Sequence, residues 1–155
     1  MTAPLLREVL LPDEPATAAL GAAVERALRP GEAVCLYGPL GAGKTSFARG
    51  LIRAATSPQE EVPSPTFTLV QLYVGERLTI SHLDLYRLSD PDEAFELGLD
   101  EALEVGAAVI EWPERLGLAL PPDRLAVEIE HADPGRRARL TGHGAWRSRV
   151  AELAL

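Results

Sequence analysis

Glu32-Ala-Val-Cys-Leu-Tyr37, running directly into Gly38-Pro-Leu-Gly-Ala-Gly-Lys-Thr45, is the stretch on which the reading of this chain turns. The first six residues make a short apolar run suited to a buried parallel strand. The next eight fit G-x-x-x-x-G-K-[ST] in full, and Thr45 to Ala55 then reads as a helix with Phe47, Leu51 and Ala54 or Ala55 on one face. Strand, glycine loop and helix in that order form a phosphate cradle. Gly38, Gly41 and Gly43 permit positive φ and let backbone N–H groups close around phosphate oxygens. The helix aims its N-terminus at the same anion. In this arrangement Lys44 reaches the β- and γ-phosphates and the Thr45 hydroxyl ligates Mg²⁺. Gly38, Gly41, Ala42, Gly43, Lys44, Thr45 and Ser46 are therefore the expected lining of a Mg–ATP site, with ATP and Mg²⁺ as the expected ligands.

The charged residues sharpen this reading. Of the fifteen Lys and Arg side chains, fourteen are Arg, and the single Lys is Lys44. A compact ammonium on a flexible stem differs from a planar guanidinium, so chemistry holds Lys44 at its position. A chain whose only Lys lies in the glycine loop also has no room for an Asn-Lys-x-Asp guanine-reading segment, which counts against a GTP switch.

A phosphate loop of this type needs a carboxylate at a neighbouring strand end to hold Mg²⁺ directly or through water. Two acids qualify. Glu111 ends the apolar run Ala107-Ala-Val-Ile110, and Asp84 follows Leu78-Thr-Ile-Ser-His-Leu83. Leu78, Ile80 and His82 share one face of their strand, so Asp84 projects from that side at its end. His82 reads as a hydrogen-bonded, semi-buried histidine rather than a catalytic one. Trp112, next to Glu111, either covers the nucleotide or packs at the sheet end.

Further out, Leu5 to Leu11 suggests a short strand before the turn Pro12-Asp13-Glu14-Pro15. Ala16 to Leu28, with Leu20, Val24 and Leu28 at spacing four, predicts a helix ending near Pro30-Gly31. Ser57 to Pro65 is a proline-rich loop. Thr66 to Val74 and Arg77 to Asp84 predict a hairpin through Gly75-Glu76. Asp90-Pro-Asp-Glu93 opens a helix. Arg124 to Glu130 and a shorter Arg137 to Thr141 alternate and could pair through Ala132-Asp-Pro-Gly135. The sum is an α/β fold, a single P-loop NTPase domain over 1–155, whose mixed parallel/antiparallel sheet is flanked by helices.

Composition bounds the function classes. Hydrophobic residues make up 46% and charged residues 25%, with a net charge of −8. Such an acidic surface does not coat itself on nucleic acid. The local exception, Arg136, Arg137 and Arg139, reads first as a solvated face. The lone Cys35 sits in an apolar run as a buried packing residue. No stretch approaches the roughly 20 apolar residues of a membrane helix, and Met1 to Pro15 does not resemble a signal peptide. A cytoplasmic protein with no membrane association is expected.

Several separated motifs then coincide. Gly38-Pro-Leu-Gly-Ala-Gly-Lys-Thr45, Val62-Pro-Ser-Pro-Thr-Phe67, His82-Leu-Asp-Leu-Tyr-Arg87 and Ile110-Glu-Trp-Pro-Glu-Arg115 occur in the order and spacing of the TsaE (YjeE) family. The chain resembles these small bacterial ATPases required for making threonylcarbamoyladenosine in tRNA. The resemblance covers the middle half of the chain and implies roles residue by residue. Thr66 looks like the switch-type threonine near the γ-phosphate and metal. Asp84 looks like the acid needed for hydrolysis, Glu111 like the second metal-site carboxylate, and Trp112 lies beside the nucleotide. It further implies an accessory ATPase that services a TsaD–TsaB complex, with tRNA reached indirectly through that complex. The alternative reading is a small-molecule P-loop kinase, whose arginine-bearing lid would fall in Arg115 to Arg124.

Overall fold

The computed structural model describes residues 5–39, 43–63 and 69–155. Its elements are β1 (Leu5–Leu11), α1 (Glu14–Ala27), β2 (Ala33–Tyr37), α2 (Lys44–Ala55), β3 (Val70–Val74), β4 (Thr79–Asp84), α3 (Asp92–Glu96) and α4 (Leu99–Val105). There follow β5 (Ala107–Glu111), a 3₁₀ segment (Pro113–Ala119), β6 (Arg124–His131), β7 (Arg136–His143) and α5 (Trp146–Glu152). The strands join into one sheet in the order β1-β7-β6-β2-β5-β4-β3. Its centre, β6-β2-β5-β4, is parallel, and both margins are antiparallel. The expected mixed sheet is present.

Each margin is built by a hairpin. Gly75 turns β3 into β4, its N–H donating to the Leu78 carbonyl at 3.2 Å. Ala132 and Gly135 close the turn between β6 and β7. The second hairpin does more than the alternation of Arg124 to Glu130 indicated. β6 also lies parallel to β2, with Leu36 opposite Val127, and β7 carries β1 on its outer edge.

The apolar residues sort by strand parity. Val34, Leu36, Ile80, Val109 and Val127 face α1, α2 and α5 and form one core with Leu20, Val24, Phe47, Leu51 and Trp146. Cys35, Leu83, Ala108 and Ile110 point the other way, against Leu85, Leu99 and Leu116 of the opposite layer. The result is a three-layer sandwich over the parallel centre.

Several boundaries differ from the sequence reading. α1 starts at Glu14, so Pro15 belongs to its first turn. The Asp13 side chain accepts from the Ala16 N–H at 2.9 Å and caps the helix, and proline loses nothing where the N–H has no intrahelical partner. The run at Ala16 to Leu28 therefore understated the helix at its start. β3 begins at Val70, and the earlier part of the expected strand, 66–68, lies outside the described residues. β7 extends to His143, and α5 follows it, a helix the sequence reading did not anticipate.

Candidate functional site

β2 delivers the chain to the carboxyl edge of the parallel strands, and Gly38 turns it there with φ 138°. A Cβ on Gly38 would collide with the carbonyl oxygen of Ile129 in neighbouring β6. Glycine is thus required both for its dihedral and for the close approach to β6. Gly43, at φ 107°, sits at the N-cap of α2, and its carbonyl accepts from Phe47 N–H at 3.0 Å. Lys44 and Thr45 occupy the first turn of α2, where N–H groups lack intrahelical acceptors. Gly41, Ala42 and Thr66 lie outside the described residues.

Lys44 is only 7% exposed, and its ammonium stands 5.0 Å from the centre of the Trp112 ring. A cation over an indole face is attracted by the ring quadrupole, more so when desolvated. Trp112 itself has φ 59°, an uncommon conformation for a bulky residue. The aromatic cover continues outward: the Tyr86 ring centroid is 4.8 Å from that of Trp112, and the Arg115 guanidinium lies 5.9 Å from the Tyr86 ring. Of the two readings left open for Trp112, the structure places its ring over the loop lysine.

Thr45 is exposed at the helix start. The Ser46 hydroxyl donates to Glu14 Oε1 at 3.1 Å, tying α2 to the first turn of α1.

The two acids close the other side. Asp84 ends β4 and Glu111 ends β5, directly opposite one another in the parallel register, while Glu111 also faces Leu36 of β2. By parity both carboxylates leave the sheet on the α2 face, as Ile80 and Val109 do below them. Asp84 Oδ1 accepts from Tyr86 N–H at 2.9 Å, a local turn that fixes its side chain. Glu111 Oε2 lies 2.8 Å from His82 Nε2, and both residues are buried. Gly38, the start of α2 and both acids thus lie at the carboxyl ends of β2, β5 and β4, the edge at which open α/β sheets bind ligands.

The donor set suits a hard cation. Hydroxyl and carboxylate oxygens are magnesium ligands, and Mg²⁺ typically takes one or two protein carboxylates with substrate phosphates rather than an all-protein cage. Among the described residues no group of three or more His, Cys, Asp and Glu forms such a cage.

Away from the crevice, burial pushes the Cys35 thiol up to about 12, opposed by Arg124, so the thiol is inert packing. Arg137 pairs with Glu130 at 3.4 Å, and Arg139 with Glu8 at 3.2 Å and Glu130 at 3.6 Å. These arginines form a half-exposed ladder across β1, β7 and β6, the solvated face their sequence suggested. Arg136 donates to the Gly135 carbonyl at 3.0 Å. The segment from Arg115 to Arg124 is folded against the sheet, with Leu116 and Pro121 buried and Arg124 donating to the Pro121 carbonyl at 3.1 Å. No helix among the described residues is long and apolar enough to cross a membrane.

Sequence reasoning placed His82 on the correct face but missed its partner. Residues 82 and 84 share parity with 111 only once β4 and β5 are known to be neighbours in that register. Tyr86, which both anchors Asp84 and touches Trp112, was missed too; its place two residues after an acid at a strand end was the available signal.

Comparison with known proteins gives a consistent picture. The family model described as threonylcarbamoyl adenosine biosynthesis protein TsaE matches residues 11–139. The tRNA threonylcarbamoyladenosine biosynthesis protein TsaE of Rickettsia felis is 40% identical over 129 residues, covering 83% of this chain and 75% of its own. Its counterpart from Treponema pallidum is 42% identical over 122 residues, covering 78% and 89%. Among solved structures, YdiB of Bacillus subtilis superposes with a TM-score of 0.76 at 28% identity, covering 98% of this chain and 94% of that one.

Proposed function

This chain belongs to the TsaE family, and from that membership we propose that it is a Mg²⁺-dependent ATPase acting in tRNA threonylcarbamoyladenosine biosynthesis. In this reading it is an accessory protein that supports a TsaD–TsaB complex and does not itself transfer the threonylcarbamoyl group. One observation carries the catalytic part: Lys44 at the start of α2 and the register-paired acids Asp84 and Glu111 lie at the same carboxyl edge of the parallel strands.

Each residue has a task its position allows. Gly38 and Gly43 admit the phosphates against backbone, and Lys44 meets the β- and γ-phosphate oxygens. The Thr45 hydroxyl and the Glu111 carboxylate would hold Mg²⁺, which would supply positive charge beside the transferred phosphoryl group. Asp84, held by the Tyr86 N–H through one oxygen, would accept through the other from a water positioned for attack. Thr66 is assigned beside the γ-phosphate on family resemblance alone. Trp112 covers Lys44 and then the nucleotide phosphates, limiting water at the site. The net charge of −8 favours docking on a protein over grasping tRNA directly.

The kinase alternative lacks comparable support, because the segment that would form its lid is packed into the second core through Leu116. Phosphate release from Mg–ATP, measured with and without purified TsaD–TsaB, tests the proposal. Stimulation by the complex, abolished by Lys44→Ala, is expected. A Lys44→Ala protein that sustains full modification in the reconstituted system overturns it.

A further inference from the structure

His82 is 2% exposed, and its Nε2 lies 2.8 Å from Oε2 of Glu111. Its Nδ1 is buried as well and has no partner among the described residues. A carboxylate oxygen accepts, so Nε2 carries the proton in this contact. The geometry therefore directs the Nε2–H at Glu111.

Packing alone does not account for this choice. Ile80, two residues earlier on the same face of β4, fills its place in the core with no polar atom. An imidazole one step further introduces an orphaned nitrogen that an apolar side chain would avoid. What the imidazole adds is a hydrogen bond to the side chain of Glu111, the last residue of β5.

We infer that His82 is a positioning residue for the metal site: its Nε2–H engages Oε2 and so fixes Oε1 as the Glu111 oxygen that serves Mg²⁺. The inference rests on the assignment of Glu111 to the metal proposed above. Residues that orient a ligating side chain through its second atom commonly change metal affinity when replaced, by roughly 10–100-fold.

The test uses the full chain and four variants, His82→Leu, His82→Asn, His82→Gln and Glu111→Gln. Mg²⁺ is titrated calorimetrically into each protein–ADP complex, and ADP affinity without metal and the thermal midpoint are measured in parallel. His82→Leu is expected to weaken Mg²⁺ about tenfold while leaving metal-free ADP binding unchanged. His82→Gln, whose amide N–H reaches about as far as Nε2, restores the affinity, and the shorter His82→Asn does not. Imidazole nitrogen NMR of the unmodified protein shows the Nε2–H tautomer. Should His82→Leu fail to fold, His82→Asn carries the same expectation. Unchanged Mg²⁺ affinity in the folded Leu or Asn variant, with only the thermal midpoint lowered, makes His82 a core hydrogen bond and overturns the inference. Equal losses in Gln and Leu overturn it too. If Glu111→Gln itself leaves Mg²⁺ affinity unchanged, the metal assignment of Glu111 fails, and the inference falls with it; if Glu111→Gln weakens Mg²⁺ while His82→Leu does not, only the inference fails.

Discussion

Trp112 and Lys44 form the contact from which single-residue behaviour is most directly argued. The chain has two tryptophans, and they differ in setting: Trp112 lies over the Lys44 ammonium, whereas Trp146, the first residue of α5, is fully buried against the sheet. Mg–ATP binding at Lys44 should therefore change the fluorescence of Trp112 alone. Trp112→Phe is expected to abolish the nucleotide-dependent signal and Trp146→Phe to keep it; the reverse pattern would place the nucleotide elsewhere. Asp84→Asn retains an oxygen able to accept from Tyr86 N–H, so the fold should persist while phosphate release falls on the order of 10²-fold. Cys35, whose thiol burial pushes up to about 12, should ignore a thiol-reactive disulfide at pH 8 until the protein is unfolded. Rapid native reaction would mean that β2 is not the buried centre of the sheet. Much of this scale was legible in the sequence, because the glycine loop, its lysine and its hydroxyl are adjacent along the chain. The His82–Glu111 bond was not legible, since it joins residues 29 apart whose meeting depends on the pairing of β4 with β5.

Between elements, the decisive contact is the crossing of α1 and α2. A Cβ added to Gly21 would strike the Phe47 carbonyl oxygen, and one added to Gly50 would strike the Ala18 backbone. Here the two helices touch main chain to main chain, and the same α2 begins at Lys44. Propensity and packing make opposite forecasts at this point. Gly→Ala in a helix interior ordinarily stabilises by roughly 0.5–1 kcal/mol. At Gly50 the collision with rigid backbone should instead destabilise, by about 1–3 kcal/mol, and tilt the first turn of α2 enough to weaken nucleotide binding. Urea unfolding of Gly50→Ala decides the sign, and stabilisation would mean that the helices are further apart than described. Nothing in the sequence flags Gly50 as a crossing point, because its importance lies in Ala18, a residue of another helix. Helix α5 was missed for a related reason. Its seven residues show too little periodicity, and it is held by burying Trp146 and Val150 against the sheet. By contrast β2 and β5, short apolar runs buried on both faces, could be read directly.

For the whole molecule, the arginine-rich composition supplies an unusual probe. Every Lys or Arg side chain but one is a guanidinium, so among side chains amine-acylating reagents find only Lys44. Lys44 is buried to 7% exposure beneath Trp112, and no lysine elsewhere competes for reagent. Peptide mapping after limited acylation should therefore show one slowly modified side chain, Lys44. Access governs the Lys44 rate, so three conditions should rank it. Trp112→Ala uncovers the ammonium and speeds the reaction; the unmodified protein is slower; Mg–ATP, by occupying the ammonium with phosphate oxygens, slows it further. The modified fraction should lose nucleotide binding in proportion to acylation of Lys44, because an amide at that nitrogen carries no charge. Fast labelling of Lys44 in the unmodified protein, or labelling indifferent to Mg–ATP, would break the link between the lysine beneath Trp112 and the phosphate site. The same modified protein would separate the two functions proposed for the chain. Acylated at its single lysine and otherwise intact, it should still dock on a TsaD–TsaB complex through its acidic surface, and it should fail to support turnover there.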